Sequence, residues 1–404
     1  MKVLLISNAF PNSAEPVRGI FTYQIVKALQ KKCDIEVVAP LPWVPFFLRK
    51  KFLSQYPHSN VSEKERIGDI QVYHPRYLVI PKVLGFMHPI FMLFPLLWLL
   101  RKIERRRGID LINAHWIFPD GVAAAWASRI MRKPVILTAL GCDINSYPKV
   151  FSRRAQISSA LHLADAITAK SNSLKKRIVE MKVSCRKVTV IPNGVNSDLF
   201  RIMNKKRTRR KLGISENRNV VITVGSQDDV KGTRYLIGAI ALMRKKLDQL
   251  PLLFLIGDGP LRKDLQHQAI ELGISENVKF LGKLLQDQIP QWLNAADVFC
   301  LPSLREGHPN VVLEALACGI PVVGSRVGSI PELIDDHNGK VFNIGDSLGL
   351  CNQLMLCFEK SWNRFIIRES VQRFNWNSCA ESYCRVFLPA LSADLNCIPR
   401  ESDD

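Results

Sequence analysis

An α/β architecture in two domains is what this chain predicts, and three observations predict it. Short apolar, strand-like runs alternate with helical stretches through both halves, a rhythm that gives parallel sheets covered by helices. The 404 residues are 47% hydrophobic, enough for two full cores. A break over residues 192–200, followed by the basic segment 201–211, separates two such alternating runs.

In the first half, residues 2–7 read as a strand, 20–31 as an amphipathic helix and 35–40 as a strand; 111–115, 121–131, 134–139 and 166–170 continue the pattern. No GxGxxG follows the first strand, so a dinucleotide site of that kind is not supported. In the second half, 220–224, 252–256, 278–281, 298–301 and 321–324 read as strands, and 376–387 as a helix. The ten cysteines form no CxxC pair, which disfavours a disulfide framework or a zinc site and suits a reducing cytoplasm. Met1 leads straight into the first strand, with no cleavable signal.

Charge is unevenly divided. Residues 1–200 carry thirty basic and thirteen acidic side chains, a net of +17, against +3 for the remainder. No nucleic-acid motif and no interleaved aromatics accompany the basic half, so nucleic acid is not the expected partner. Two apolar stretches suit an anionic membrane surface instead. Residues 42–47 are followed by Arg49, Lys50 and Lys51; residues 83–100 hold no formal charge and precede Arg101, Lys102, Arg105, Arg106 and Arg107. Interrupted by His88, Pro89 and Pro95, the second stretch is marginal for a span. A patch docked peripherally on a leaflet and a core helix are both compatible with it. Gln in place of Arg105, Arg106 and Arg107 tests the first.

The most informative stretch is 306–319. Gly307 and Pro309 favour a turn, and Asn310 suits the N-cap of a helix over 311–318. Glu306 then sits on the loop before the helix and Glu314 one turn in. A helix start attracts phosphate through its unpaired N–H groups, and two carboxylates beside it accept hydrogen bonds from hydroxyls. A nucleotide sugar, with a diphosphate between two polyols, answers all of these. The flanking strands make the segment a βαβ unit, and such sheets bind ligands at strand C-termini.

This segment resembles the signature of retaining glycosyltransferases of family 4, which have the GT-B fold. Other stretches agree, in the family's order: Val190-Ile191-Pro192-Asn193-Gly194-Val195-Asn196 with Asp198 and Phe200, Val224-Gly225 with Lys231-Gly232, Ile256-Gly257-Asp258-Gly259-Pro260, and Phe280-Leu281-Gly282. The resemblance implies two Rossmann-like domains facing a central cleft. Residues 1–195 would bind the acceptor and 196–372 the nucleotide sugar, while the helix in 373–404 would cross back onto the first domain.

By the same resemblance, Lys231 neutralises the donor diphosphate, Glu314 binds ribose hydroxyls and Glu306 lies near the donor sugar. The backbone of Gly307, His308, Pro309, Asn310 and Val311 holds sugar and phosphate, His308 serving as a contact. Gly225, Ser226, Gly257, Asp258 and Gly259 lie where the family approaches the nucleotide. On the acceptor side, Gly19 follows the first strand's loop, and His115, Asp120 and Asp143 orient the acceptor hydroxyl. Glu306, Lys231, His115 and Asp143 are the candidates for the chemistry. Two positions depart from the family: Ser226 stands where an Arg usually follows the loop Gly, and Leu140 where many members carry a His. Arg305 and Arg326 are alternative cations. Asp228-Asp229 and Asp335-Asp336 are not DxD sites, and no metal or other cofactor is expected.

The function these residues imply is hexose transfer from a nucleotide sugar to a glycan acceptor, lipid-linked, at the inner face of the cell membrane. The departures at Ser226 and Leu140 leave a catalytically idle nucleotide-sugar-binding protein as the alternative.

Overall fold

The computed structural model describes residues 1–45, 61–80 and 84–395, with side chains through 391. Phe46, Phe47, Arg49, Lys50, Lys51 and Val83 lie outside the described residues. The chain forms two compact units, Met1–Asn193 with Trp376–Asp404, and Gly194–Asn375.

Among the described residues the first unit has ten strands. These are β1 (Lys2–Ile6), β2 (Asp34–Val38), β3 (Leu41–Trp43), β4 (Lys64–Ile67), β5 (Ile70–Tyr73), β6 (Arg76–Leu78), β7 (Leu111–His115), β8 (Val135–Ala139), β9 (Ala166–Ala169) and β10 (Val188–Val190). Eight of them form one sheet in the order β10-β9-β8-β7-β1-β2-β5-β4. All pairings are parallel except β4 with β5; β3 and β6 pair separately. Val3, Leu4, Leu5 and Ile6 of β1 are fully buried, as a strand covered on both faces requires. The covering helices include α1 (Ile20–Leu29), α2 (His88–Arg107), α3 (Val122–Met131) and α4 (Phe151–Leu163). The helix Trp376–Leu395 also belongs to this unit. Its Ala380, Tyr383 and Phe387 pack beside Val26, Leu29, Ile35 and Ile136.

Helix α2 departs from the sequence expectation. It runs unbroken through Pro95, while Pro89 falls in the first turn, where a missing N–H costs nothing. With the turn before it, α2 is, among the described residues, the one helix long and apolar enough to cross a membrane by length and composition. Met92, Leu96, Leu100 and Ile103 nonetheless lie in the core. Of the three consecutive arginines, Arg106 is paired with Glu36 at 2.6 Å and Arg107 with Asp34 at 2.7 Å; among the described residues Arg105 has no such pair. Substituting all three, as the sequence suggests, would disturb the fold as well as any surface charge.

The second unit is simpler. Strands β11 (Val220–Val224), β12 (Leu252–Ile256), β13 (Val278–Gly282), β14 (Val298–Leu301), β15 (Val322–Ser325) and β16 (Gly339–Phe342) lie in the order β13-β12-β11-β14-β15-β16, all parallel. Among the helices on its two faces are α5 (Thr233–Leu242), α6 (Arg262–Glu271) and α7 (Asn310–Ala317). The strand order reverses between β11 and β14, and a crevice opens at such a switch point, outside the carboxyl ends of the strands.

Candidate functional site

At that switch point two loops meet. The loop after β11 carries Lys231 and the loop after β14 carries Glu306; Lys231 Nζ donates to Glu306 Oε1 at 2.6 Å. The lysine chain runs past Gly225, where a Cβ would make ordinary van der Waals contact with it at 3.5 Å. Asp228 caps the short turn before Lys231, accepting from its backbone N–H at 3.2 Å, and receives Ser226 Oγ at 2.6 Å. Glu306 is fixed on the other side by Ser303 Oγ, which donates at 2.7 Å. The pair is partly open, with the lysine side chain 25% and the glutamate 10% exposed. A small pocket beneath the loop is lined by Gly225, Ser226, Gln227 and Lys231.

The loops after β11 and β12 lock together through backbone. Gly257 holds φ +124°, and a Cβ on it would sit 1.9 Å from the Gly225 carbonyl oxygen; one on Gly259 would sit 2.4 Å from that of Gln227. Both glycines are therefore demanded by loop-on-loop packing, whatever else approaches them. Gln227, 2% exposed, donates through Nε2 to the Gly257 carbonyl at 3.1 Å. The sequence reading missed this staple, since nothing in SQDD distinguishes a buried glutamine from an exposed one. Asp258 is exposed and accepts from Gly259 N–H at 2.9 Å.

Helix α7 begins one residue earlier than expected. Asn310 is its first residue rather than its cap; Pro309 precedes it in extended geometry, and no side chain caps the end. The proline fixes the chain's entry angle, leaving Asn310 to be buried, 5% exposed. The loop before it is held from the segment after β15: Ser329 N–H donates to Gly307 O at 3.2 Å, and His308 Nδ1 lies 3.1 Å from Ser329 Oγ. His308 also sits 6.4 Å from the Phe374 ring. Val311 is half-buried. Arg305 and Arg326 are both exposed. Glu314 is 6% exposed, and burial pushes its carboxyl up to about 7, with a hydrogen bond from Gln286 opposing.

In the first unit the residues expected on the acceptor side are put to structural use. His115 ends β7 at 1% exposure, with Nε2 3.0 Å from Asn113 Oδ1 and its ring stacked on Tyr383 at 5.7 Å. Burial, with Lys170 nearby, holds it well below the usual histidine range, so it is a neutral core residue. Asp143 is fully buried; it accepts from Ile117 N–H at 2.9 Å, Gly141 N–H at 2.6 Å and Leu140 N–H at 3.1 Å. Asp120, also fully buried, accepts from Asn8 N–H at 2.7 Å, and burial pushes it up to about 7. The two aspartates thus pin the loops after β1, β7 and β8 to one another. Gly19 holds φ +59°, with a Cβ there 1.9 Å from Ala9 O; its close neighbour is the chain's own backbone.

Comparison with known proteins decides what this scaffold is. Residues 19–199 match the family model described as Glycosyltransferase Family 4, and 204–355 the model described as Glycosyl transferases group 1. Over 347 residues the chain is 32% identical to the putative teichuronic acid biosynthesis glycosyltransferase TuaC of Bacillus subtilis, covering 83% of this chain and 84% of that one. The chain is a family 4 glycosyltransferase. Solved GT-B structures share its fold: sucrose-phosphate synthase from Thermosynechococcus elongatus has a TM-score of 0.76 at 21% identity, covering 97% of this chain and 100% of that one. Anabaena HepE in complex with UDP has a TM-score of 0.73 at 24% identity, covering 96% and 100%.

For this transferase, a lysine and a glutamate converging at a parallel-sheet switch point offer one cation and one anion beside an uncapped helix end. Among the described residues no group of three or more His, Cys, Asp or Glu is placed to hold a metal ion.

Buried Glu314 has its own consequence. An acid whose folded pKa lies above its unfolded value favours the protonated chain, so its contribution is full below the ordinary pKa of 4.5 and is lost as pH rises to about 7. Glu314→Gln keeps the shape without the charge. It is expected to match the wild type at the acid end and to exceed it above neutrality by about 3 kcal/mol. Thermal melts across that range check this; a gap that does not widen with pH would show that Glu314 ionises freely.

Proposed function

We propose that this transferase moves a hexose, with retention, from a nucleoside-diphosphate sugar to a lipid-linked cell-envelope glycan at the cytoplasmic face of an anionic membrane. The Lys231–Glu306 pair at the switch point carries the reading. Lys231 leaves Glu306 for the incoming diphosphate and balances the charge that grows as the nucleotide departs. The freed Glu306 carboxylate then faces the donor sugar. The amide end of α7, with Gly307 to Val311, takes phosphate and sugar oxygens, Glu314 receives the ribose hydroxyls, and the loops bearing Gly225, Ser226, Gly257, Asp258 and Gly259 border the nucleotide. The first unit receives the acceptor, and the reaction uses no metal.

The UDP and UDP-glucose complexes of HepE support the donor class, and TuaC's role in teichuronic acid biosynthesis supports an envelope glycan. The test starts with a nucleotide-sugar panel scored by thermal shift, followed by acceptor-dependent nucleotide release. Glu306→Ala is expected to lower release by about a hundredfold or more, with the donor-induced shift largely retained. Undiminished release would remove Glu306 from the chemistry. Binding without release for any acceptor would favour the idle binding protein instead.

A further inference from the structure

Helix α2 has two faces of opposite character. Its inner face lies in the core, with Met92, Leu96 and Leu100 fully buried. On the outside Phe94 is 69% and Trp98 67% exposed, with Ile90 at 37% and Phe86, in the turn leading into the helix, at 41%. These four recur every four residues and make one strip along the helix. Monomeric proteins rarely expose large side chains contiguously without a use for them.

The strip runs into cations. A groove of about 660 Å³ is floored by Phe94, Leu97 and Trp98 and continues to Arg101, Lys102 and Arg105, all three exposed. Lys102 Nζ lies 5.2 Å over the Trp98 ring. Between Gly85 and Ile103 the sequence has no acidic residue. The strip's other end is extended by α4. Gln156 donates to the Phe86 carbonyl at 2.9 Å, which brings the start of α4 alongside, with Phe151 at 86% exposure and Lys149 and Arg154 exposed beside it.

We infer that the outer face of α2 is the surface by which this enzyme lies on an anionic lipid leaflet, with Phe94 and Trp98 inserted at the headgroup boundary and Arg101, Lys102 and Arg105 paired with lipid phosphates. The inference rests on the membrane reading above and goes further by naming the face. Amphipathic rings and long basic side chains together fit the boundary between acyl chains and headgroups. A second copy of the chain fits poorly, because a two-fold interface places a patch against itself and would set these cations against their own copies. Helix α2 also packs on residues 117–121, the loop after β7, so the docking helix touches a loop proposed for the acceptor.

Co-sedimentation of the full chain with vesicles of equal parts phosphatidylcholine and phosphatidylglycerol tests this. The wild type is expected to pellet with them and poorly with phosphatidylcholine alone. Arg101→Gln with Lys102→Gln and Arg105→Gln is expected to lower partitioning by about a hundredfold at low salt. Phe94→Ser with Trp98→Ser is expected to lower it comparably. Brominated acyl chains give a reading that needs no disruptive variant: they should quench the wild type more than Trp98→Phe. Three results would overturn the inference. Pelleting unaffected by both variants, with equal quenching, leaves membrane attachment standing but removes this face. A wild type that stays in solution removes both while leaving sugar transfer untouched. A dimer dissolved by Phe94→Ser with Trp98→Ser, without vesicle binding, assigns the face to self-association.

Discussion

Lys231→Ala is expected to lower sugar transfer by about a thousandfold, most of it in kcat rather than KM. The loop over residues 225–232 contains one basic side chain, since Ser226 stands where the family usually carries a second. On the reading proposed above, Lys231 is the one basic side chain this loop offers to the charge released onto the departing nucleotide. Removing the lysine does more than delete a donor. It takes the lysine partner from Glu306, 10% exposed, and an incoming diphosphate meets a carboxylate where it met a cation. The loop itself should survive, because Glu306 keeps its bond from Ser303 and Gly328 packs against its backbone. Lys231→Arg is expected to rescue little, as a planar fork does not replace a compact ammonium held at 2.6 Å.

Coupling separates this account from a merely structural salt bridge. In the double variant Lys231→Ala with Glu306→Gln, loss of transfer should be well short of the product of the two single losses, because the two groups act on one charge. Multiplicative losses in a steady-state assay would mean that the residues work independently. A rate within tenfold of wild type for Lys231→Ala would remove the lysine from the transition state.

Much of the fold was legible because parallel strands buried on both faces declare themselves as runs of Val, Ile and Leu. The bounds of β7, β11, β12 and β14 match the sequence reading residue for residue. Strands β3 to β6 were not read: they are three or four residues long, and Pro42 and the charged Lys64, Glu65 and Arg66 mask the pattern of β3 and β4. Helix α2 was read as interrupted because Pro95 removes an N–H, yet the packing of Met92, Leu96 and Leu100 outweighs that loss. At the site, Lys231 and Glu306 could each be named, but their contact follows from the β11–β14 adjacency, which no local pattern carries. The covering of His115 was not legible either, because the residue that stacks on it, Tyr383, arrives from the far end of the chain.

Asp143 is where the largest loss of stability is expected. It had the sequence context of an acceptor-binding acid, but its carboxylate is spent on three backbone N–H groups in two loops. Asp143→Ala would orphan those donors in a place water does not reach, since the residue is fully buried. Each unsatisfied buried donor costs about 1–3 kcal/mol. Burial also raises the carboxyl's pKa, so ionised Asp143 bears a desolvation cost that alanine relieves, and the net loss is expected at about 3–4 kcal/mol. Asp143→Asn keeps one accepting oxygen but turns an NH2 toward the donors, and should recover only part of it. The loss belongs to the first unit and should appear in urea unfolding as an earlier transition there, with donor binding to the second unit unchanged. Asp120→Asn is the contrasting case: its carboxyl holds one backbone N–H from Asn8 and is pushed up to about 7, so a neutral amide should be nearly silent. If Asp143→Ala cost no more than Asp120→Asn, the two-loop clamp of Asp143 would not be what orders this end of the sheet, and its role as an acceptor-binding group would gain weight.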